Sequence, residues 1–322
     1  MTTILAQQYT PPGSGIASWR SSRHPATAPS SNAPLRLQTT SIWFRANRWK
    51  GQLPSTKPPA SSGSGSKPLR SRTASMVPAC MLGNEVTVLG REDVPLSAVL
   101  GPKLGTAFQN LHSSHGVRFK LPGSAAEISG DGGKVTHVVT NDGSWIEADL
   151  VLIAIGVVPN VGLAQQAGLP TGNGILVNES LQTSNPNIYA AGDVANAFHP
   201  VLQDRLRSEH WANAIAGGKT AAKAMLGQTV QQDDIPYFYT DQFDLGMEYS
   251  GYGPLTLGAD IVTRGSVESG EFIAFWLRHG KVVAGMNVNV WDVQDGIQEL
   301  IRSARPVETT RLSDPDIPLN EV

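Results

Sequence analysis

The first 84 residues contain no aspartate or glutamate, against ten lysines and arginines. The whole chain of 322 residues has 25 basic and 27 acidic side chains, so residues 85–322 hold the other fifteen basic and all twenty-seven acidic ones, a net of about −12. The overall charge of −2 is therefore the average of two unlike pieces. The first piece is rich in Ser, Pro, Thr and Arg and has no apolar periodicity, which excludes a hydrophobic core built from it alone. Pro11-Pro12, Pro58-Pro59 and the run Ser61-Ser-Gly-Ser-Gly-Ser66 interrupt any regular element. Residues 1–84 are expected to be disordered. Three readings stay open for them: a transit peptide, a basic arm, or the product of a displaced reading frame or mis-set start. The third is preferred, because a transit peptide would normally precede a complete enzyme. The positive charges are scattered among prolines rather than clustered, so no nucleic-acid partner is expected.

Cysteine is almost absent. Cys80 stands alone, which excludes a disulfide framework, a four-cysteine metal cluster and any C-x₄-C dithiol relay. Apolar runs of membrane-spanning length and a signal-peptide core are also missing, so no membrane partner is expected and the cytoplasm is the default compartment. The chain also lacks a complete G-x-G-x-x-G turn, whose backbone N–H groups would hold a pyrophosphate at a helix N-terminus. Gly13-Ser-Gly15 and Gly63-Ser-Gly65 both miss the third glycine, and the prolines before the second cannot belong to a central strand.

What the sequence does contain is the run Thr183-Ser-Asn-Pro-Asn-Ile-Tyr-Ala-Ala-Gly-Asp193. A turn leads into a short apolar strand, Ile188 to Ala191, which stops at Gly192-Asp193. An open α/β sheet binds its ligand at the carboxyl ends of its strands. Gly192 lets a ligand approach the backbone closely, and Asp193 offers two acceptor oxygens to a hydroxyl-rich chain.

This run resembles the second flavin-binding segment of the two-dinucleotide flavoprotein reductases, T-x-x-x-x-I-Y-A-x-G-D. Ala148-Asp-Leu-Val-Leu-Ile-Ala-Ile-Gly-Val-Val-Pro-Asn160 is similar to the strand that hands the chain from their pyridine-nucleotide domain back to the FAD domain. Ser208-Glu-His-Trp-Ala-Asn-Ala214 and Pro236-Tyr-Phe-Tyr-Thr-Asp-Gln242 resemble the flavin-side helix and the start of the C-terminal domain in ferredoxin, rubredoxin and putidaredoxin reductases of oxygenase systems. The match runs from about Gly83 to about Pro306 and is closest over 149–253. The resemblance thus lies with the FAD-dependent pyridine nucleotide-disulfide oxidoreductases of the ferredoxin/rubredoxin reductase type.

The resemblance implies an α/β fold, a partial pair of Rossmann-like dinucleotide domains with parallel sheets, plus a C-terminal α+β domain with an antiparallel sheet. The expected divisions are 85–156 for a partial NAD(P)-binding domain, 157–234 for the C-terminal half of an FAD domain, 235–306 for the C-terminal domain, and 307–322 for a polar tail. It implies cofactor-binding roles for Gly192, Asp193 and Val194, for His210 and Trp211, for Tyr239, and for Ile155 and Gly156 near the nicotinamide. Trp211 also has a physical case, since an indole stacks on flat heterocycles. A core indole is the alternative, as a plain core strand is for Ile155-Gly156. Arg91, just after the strand Glu85–Leu89, is a candidate for a 2′-phosphate of NADPH or a simple exposed loop arginine. Arg205 and Arg207 are candidates for docking an acidic carrier.

The remaining elements follow from spacing. Gly101 to Ser114 has helical periodicity, with His112 and His115 expected at an exposed C-terminal end where they complement the helix dipole. Leu150 to Ile155 reads as a buried parallel strand. Val161–Ala167 is a helix, Gly174–Val177 a strand, and a helix through Met225 ends at Gly227. Strands are expected at Ala259–Thr263, Glu271–Leu277 and Lys281–Asn289, with His279-Gly280 turning a hairpin, then a helix over Asp292–Arg302. The implied activity is transfer of electrons from NAD(P)H through FAD to a ferredoxin- or rubredoxin-like carrier. The alternative is a truncated member without redox activity, since no first FAD segment is legible. No side-chain nucleophile or acid–base pair is expected, because the cofactor carries the chemistry.

Overall fold

The structure, a computed structural model, describes residues 3–6, 41–45 and 76–322. The rest of the segment expected to be disordered lies outside the described residues. The described parts of it are regular: strand β1 (Thr3–Ala6), strand β2 (Ser41–Arg45) and helix α1 (Met76–Met81). The physical reason is local. Thr-Ile-Leu-Ala and Ser-Ile-Trp-Phe-Arg are rich in β-branched and aromatic residues, and each supplies hydrogen-bond partners to a strand edge that would otherwise stay open.

β3 (Glu85–Leu89) is followed by helices α2 (Ser97–Leu100) and α3 (Pro102–Ser114), then β4 (Arg118–Lys120). Proline at the start of α3 uses a position where the missing N–H has no intrahelical partner. β5 (Ala125–Asp131), β6 (Lys134–Thr140) and β7 (Trp145–Glu147) form an antiparallel meander with a Gly143 turn. β8 (Leu150–Ile153) joins a sheet of order β4-β3-β2-β8, in which β3 and β4 are parallel and β2 runs antiparallel to both neighbours. β8 is thus shorter than the apolar run suggested and antiparallel to its described partner. Leu150 and Ile153 stay exposed on the outermost strand of this sheet, while Val151 and Leu152 pack against clusters on its two faces.

α4 (Gly162–Gln166) leads to β9 (Thr171–Gly172), β10 (Gly174–Val177), β11 (Ile188–Ala191), β12 (Ala195–His199) and β13 (Asp204–Leu206). β11 pairs parallel with β1, and β10 parallel with β12. Helix α5 (Trp211–Met225) covers this layer with its small-residue face, Gly217 and Ala221 buried. The resulting core holds Ala164, Ile175, Val177, Tyr189, Ala190 and Val194. Small residues let helix and strands approach closely, so the layer is thin and dense.

The C-terminal sheet has the order β14-β15-β18-β17-β16, all antiparallel, from Tyr237–Gln242, Leu245–Gly251, Lys281–Val288, Glu271–Arg278 and Asp260–Ser266 respectively. His279 and Gly280, both with positive φ, close the tight β17–β18 hairpin. One face packs on α2 and α3: Leu104 and Phe108 meet Tyr249, Phe272, Trp276 and Met286. The other carries α6 (Gln294–Ser303) and α7 (Thr309–Ser313), with Ile297, Leu300, Ile301 and Leu312 buried against Phe275 and Val282. Residues 307–322 are therefore a packed layer instead of a polar tail. The apolar positions Leu312, Ile317, Leu319 and Val322 are too widely spaced to show a period, yet together they cover the sheet.

His112 corrects the expectation of an exposed helix end. It is 2% exposed, edge-on to Phe119 and Phe243 with ring centroids 6.5 and 5.4 Å away. His115 remains exposed and stacks on Phe243 at 3.7 Å. The β14–β15 turn folds over the end of α3, a long-range contact that no local pattern announces. Among the described residues, no helix is long and apolar enough to cross a membrane.

Candidate functional site

The turn before β11 is held by its own side chains. The Thr183 hydroxyl donates towards the carbonyls of Asn185 and Ile188 (3.1 and 3.0 Å) and accepts from the Asn185 N–H at 3.1 Å. The Asn187 N–H donates to Asn185 Oδ1 at 3.0 Å. This self-bonded turn sets the register in which β11 enters its sheet, and so places Gly192 and Asp193 at its carboxyl end, in a 3₁₀ turn that continues to Val194.

Gly192 has φ +77°, and a Cβ built on it would lie 3.6 Å from Ala214 Cβ in the first turns of α5. The helix start therefore sits against the strand end. Asp193 is half-buried; burial raises its carboxyl above the ordinary range, Glu209 adds to the rise, and Arg207 partly offsets it. A hydrogen bond to its own backbone also offsets part of the rise. Val194 differs from its two neighbours: its side chain lies in the hydrophobic core, so only its backbone can face a ligand.

Arg207 ties the site together. Its guanidinium donates to the Asp193 carbonyl at 3.1 Å, to Asn173 Oδ1 at 2.8 Å and to Glu209 Oε1 at 2.7 Å. Gly174, beside Asn173, has no room for a Cβ, which would meet Val194 O at 2.6 Å and Arg207 Cδ at 2.9 Å. Arg205 likewise donates to the carbonyls of Val177 and Asn196, at 3.0 and 2.9 Å. Both arginines are thus engaged in holding the β9–β13 layer, which argues against the docking patch expected from sequence. The role of Arg207 was missed there; its only signal is an arginine two positions before Glu209.

His210 is the N-cap of α5 and Trp211 its first residue. The His210 ring stacks on Phe238 at 4.6 Å, Phe238 on Tyr249 at 5.0 Å, and Tyr249 meets Trp276 edge-on at 5.6 Å. This column pins the start of α5 to the C-terminal sheet. Burial lowers the His210 pKa, so its imidazole is neutral at pH 7. Trp211 by contrast is 38% exposed, a surface indole and not a core one. The start of α5, from which this indole projects, lies against the strand end at Gly192.

The other candidates belong to other strands. Tyr239 is half-buried and alternates to the opposite side of β14 from Phe238, next to Tyr237 at 6.2 Å. Ile155 and exposed Gly156, with φ +92°, follow β8 in a different sheet. Val157 and Val158 beside them are 70% and 91% exposed. Arg91 is exposed in the loop after β3. Gly192 and Asp193 end β11, His210 and Trp211 begin the helix packed against that end, and Tyr239 follows Phe238 in the strand on which His210 stacks, whereas Ile155, Gly156 and Arg91 follow β8 and β3.

An α/β layer that presents a Gly-Asp strand end to a helix N-terminus, joined to an antiparallel C-terminal sheet, defines a dinucleotide-type oxidoreductase architecture. Residues 73–218 match the pyridine nucleotide-disulphide oxidoreductase family model, and residues 237–322 the reductase C-terminal model. The chain belongs to the pyridine nucleotide-disulphide oxidoreductases, among the reductases that carry this C-terminal domain. It is 36% identical to putidaredoxin reductase CamA of Pseudomonas putida over 241 residues, 74% of this chain and 56% of the relative. With rhodocoxin reductase of Rhodococcus erythropolis it shares 33% identity, covering 74% of this chain and 55% of that protein. Of the solved structures, the ferredoxin reductase for the CYP199A2 system from Rhodopseudomonas palustris superposes with a TM-score of 0.71 at 32% identity, covering 76% of this chain and 60% of the other. The chain thus spans a little over half the length of these two curated relatives.

Proposed function

We propose that the chain is the flavin- and carrier-facing part of an NAD(P)H-dependent reductase, in which FAD is held at Gly192-Asp193 and electrons leave to a ferredoxin- or rubredoxin-like iron–sulfur protein. The observation that carries this reading is the Asp193 carboxylate, half-buried and raised in pKa at the carboxyl end of β11 beside a helix N-terminus. The site fits one end of the cofactor: a Cβ-free approach at Gly192, an acceptor for ribityl hydroxyls at Asp193, and N–H donors with an exposed indole at the start of α5. No complete pyrophosphate turn occurs in the sequence.

The chemistry supplied by bound flavin is acceptance of a hydride from NAD(P)H and release of single electrons. The protein groups orient it. Asp193 fixes the ribityl chain, Arg207 fixes the backbone of Asp193, and the His210–Phe238 stack fixes the helix from which Trp211 projects. Ile155 and Gly156 are assigned to the nicotinamide side, Arg91 to the adenosine end of NADPH, Val194 to a backbone contact, and Tyr239 to the outer wall of the flavin site. The corresponding divisions are 85–156 for NAD(P), 157–234 for FAD and 235–306 for the reductase domain, with 307–322 packed onto the last. The names putidaredoxin reductase and rhodocoxin reductase support an iron–sulfur partner. The proposed compartment is the cytoplasm, and recovery in a membrane or secreted fraction would contradict it. Purification of the full chain followed by absorption spectroscopy tests the main reading: a bound flavin bleached by NADH or NADPH is expected, and a colourless protein that takes up no added FAD would overturn it.

A further inference from the structure

The turn between β12 and β13 leaves the layer that carries Gly192 and reaches into the core of the C-terminal sheet. Val201 and Leu202 of this turn pack there with Leu277, Val282, Ile297 and Leu300. The connector before β14 enters the same core through Ile235. His199, at the end of β12, joins these two segments and is 4% exposed. Its Nδ1 accepts the Leu202 N–H at 3.2 Å, so this nitrogen carries no proton. The tautomer is thereby fixed, and Nε2–H donates to the Asp234 carbonyl at 3.0 Å. Only a neutral ring can make both bonds. A protonated imidazole has donors alone, and its Nδ1–H would face the Leu202 N–H. The ring also lines one small cavity with Gly192, Ser208 and Asn213, which puts it next to the strand end of the flavin layer.

We propose that His199 is a pH-operated latch between the two layers, whose neutral ring holds the β12–β13 turn in the C-terminal core and whose protonation releases it. The charged groups around it are Asp233 and Asp234 in the connector, Arg302 on α6, and Asp204, its register partner on β13. Burial lowers the pKa of the closed ring. The bond to the Asp234 carbonyl and the Asp233 carboxylate oppose that fall, Arg302 adds to it, and the Asp234 carboxylate opposes it. With the turn open, the solvated ring returns to its ordinary value of about 6.5. The open form therefore binds the proton more tightly, so the latch is fully closed above that pH and loosens below it. The latch does not depend on flavin binding at Asp193.

Hydrogen exchange of the Leu202 amide, followed by NMR in the full chain from pH 7.5 to 5.5, tests the proposal. Local opening predicts that this amide is less protected than that of Phe275 in the middle of the sheet. Its protection factor should fall about three- to tenfold over the range, the shift that one histidine of ordinary pKa supplies on opening. His199→Gln keeps a donor for Asp234 but has no titrating ring, and its Leu202 protection should be lower at pH 7.5 and independent of pH. If that variant does not fold, His112→Phe decides, since the fall at Leu202 should persist in it. A fall of less than threefold in the parent, protection equal to that of Phe275, a pH dependence retained in His199→Gln, or one lost in His112→Phe would each overturn the proposal.

Discussion

The guanidinium of Arg207 donates to the main-chain carbonyl of Asp193 at 3.1 Å and, through the same nitrogen, to Glu209 at 2.7 Å. One half-buried cation thereby clamps the peptide that carries the candidate ribityl acceptor and balances the acid nearest to it. The clamp joins three loops that are distant in sequence, since Asn173 is bonded as well.

Arg207→Met should remove this clamp while keeping most of the aliphatic stem. The Asn173 and Asp193 acceptors lose their partner, so a stability loss of about 1–3 kcal/mol is expected in urea unfolding. Flavin affinity should fall with it. A variant as stable as the parent would show that the clamp is incidental.

Gly192 sits at φ +77°, where an L side chain costs roughly 1–2 kcal/mol. Gly192→Ala should therefore lower the melting temperature and narrow the approach to the strand end. Differential scanning fluorimetry reads the first effect and FAD titration the second. Unchanged values in both would contradict the close approach assigned to this position.

His112 predicts an acid limb of stability. Burial lowers its pKa to about 4, with His115 adding to the depression and Gln242 opposing it. The unfolded chain takes up this proton at the ordinary histidine value, so the unfolded state binds more protons below it. Stability is then full above pH about 6.5 and falls as the pH drops towards 4, by up to about 3 kcal/mol from this group. His199 and His210 are depressed by burial in the same direction. His112→Phe, placed among Phe119 and Phe243, should flatten part of that limb in urea melts taken from pH 7 to 4.5. An unaltered pH profile would show that His112 is not the group responsible.

How much of this was legible in the sequence differs by region. β10 falls on Gly174–Val177 as expected, and β3 and the end of α5 agree as closely, because each is a short apolar or helical period bounded by its own turn signals. The strand end at Gly192 was legible for the same reason, whereas the sequence left the Trp211 indole open between a stacking surface and the core. His112 was misplaced, since its cover comes from Phe243, more than a hundred residues later. Arg205 looked like a docking residue until its carbonyl partners were known. Strands β12 to β15 gave no reading as strands, because partners rather than period decide them.

Leu312 offers a direct check on the C-terminal layer. It is fully buried against the last sheet, so Leu312→Ala should cost about 2–5 kcal/mol. A solvent-exposed tail would tolerate the change, and a loss below about 0.5 kcal/mol would restore that description.

Asp193 carries the central claim, and one paired measurement tests it. Its carboxyl is raised in pKa by burial and by Glu209, so the ionised form is disfavoured in the folded chain and works against stability above the ordinary aspartate value. FAD titration of the full chain and of Asp193→Asn, each paired with the melting temperature of the flavin-free protein at pH 7, should show saturable binding by the parent, affinity at least about tenfold weaker in the variant, and a variant that melts no lower. Equal flavin affinity in the two proteins, or a variant that binds worse only because it has lost stability, would contradict the assignment of Asp193 to the flavin.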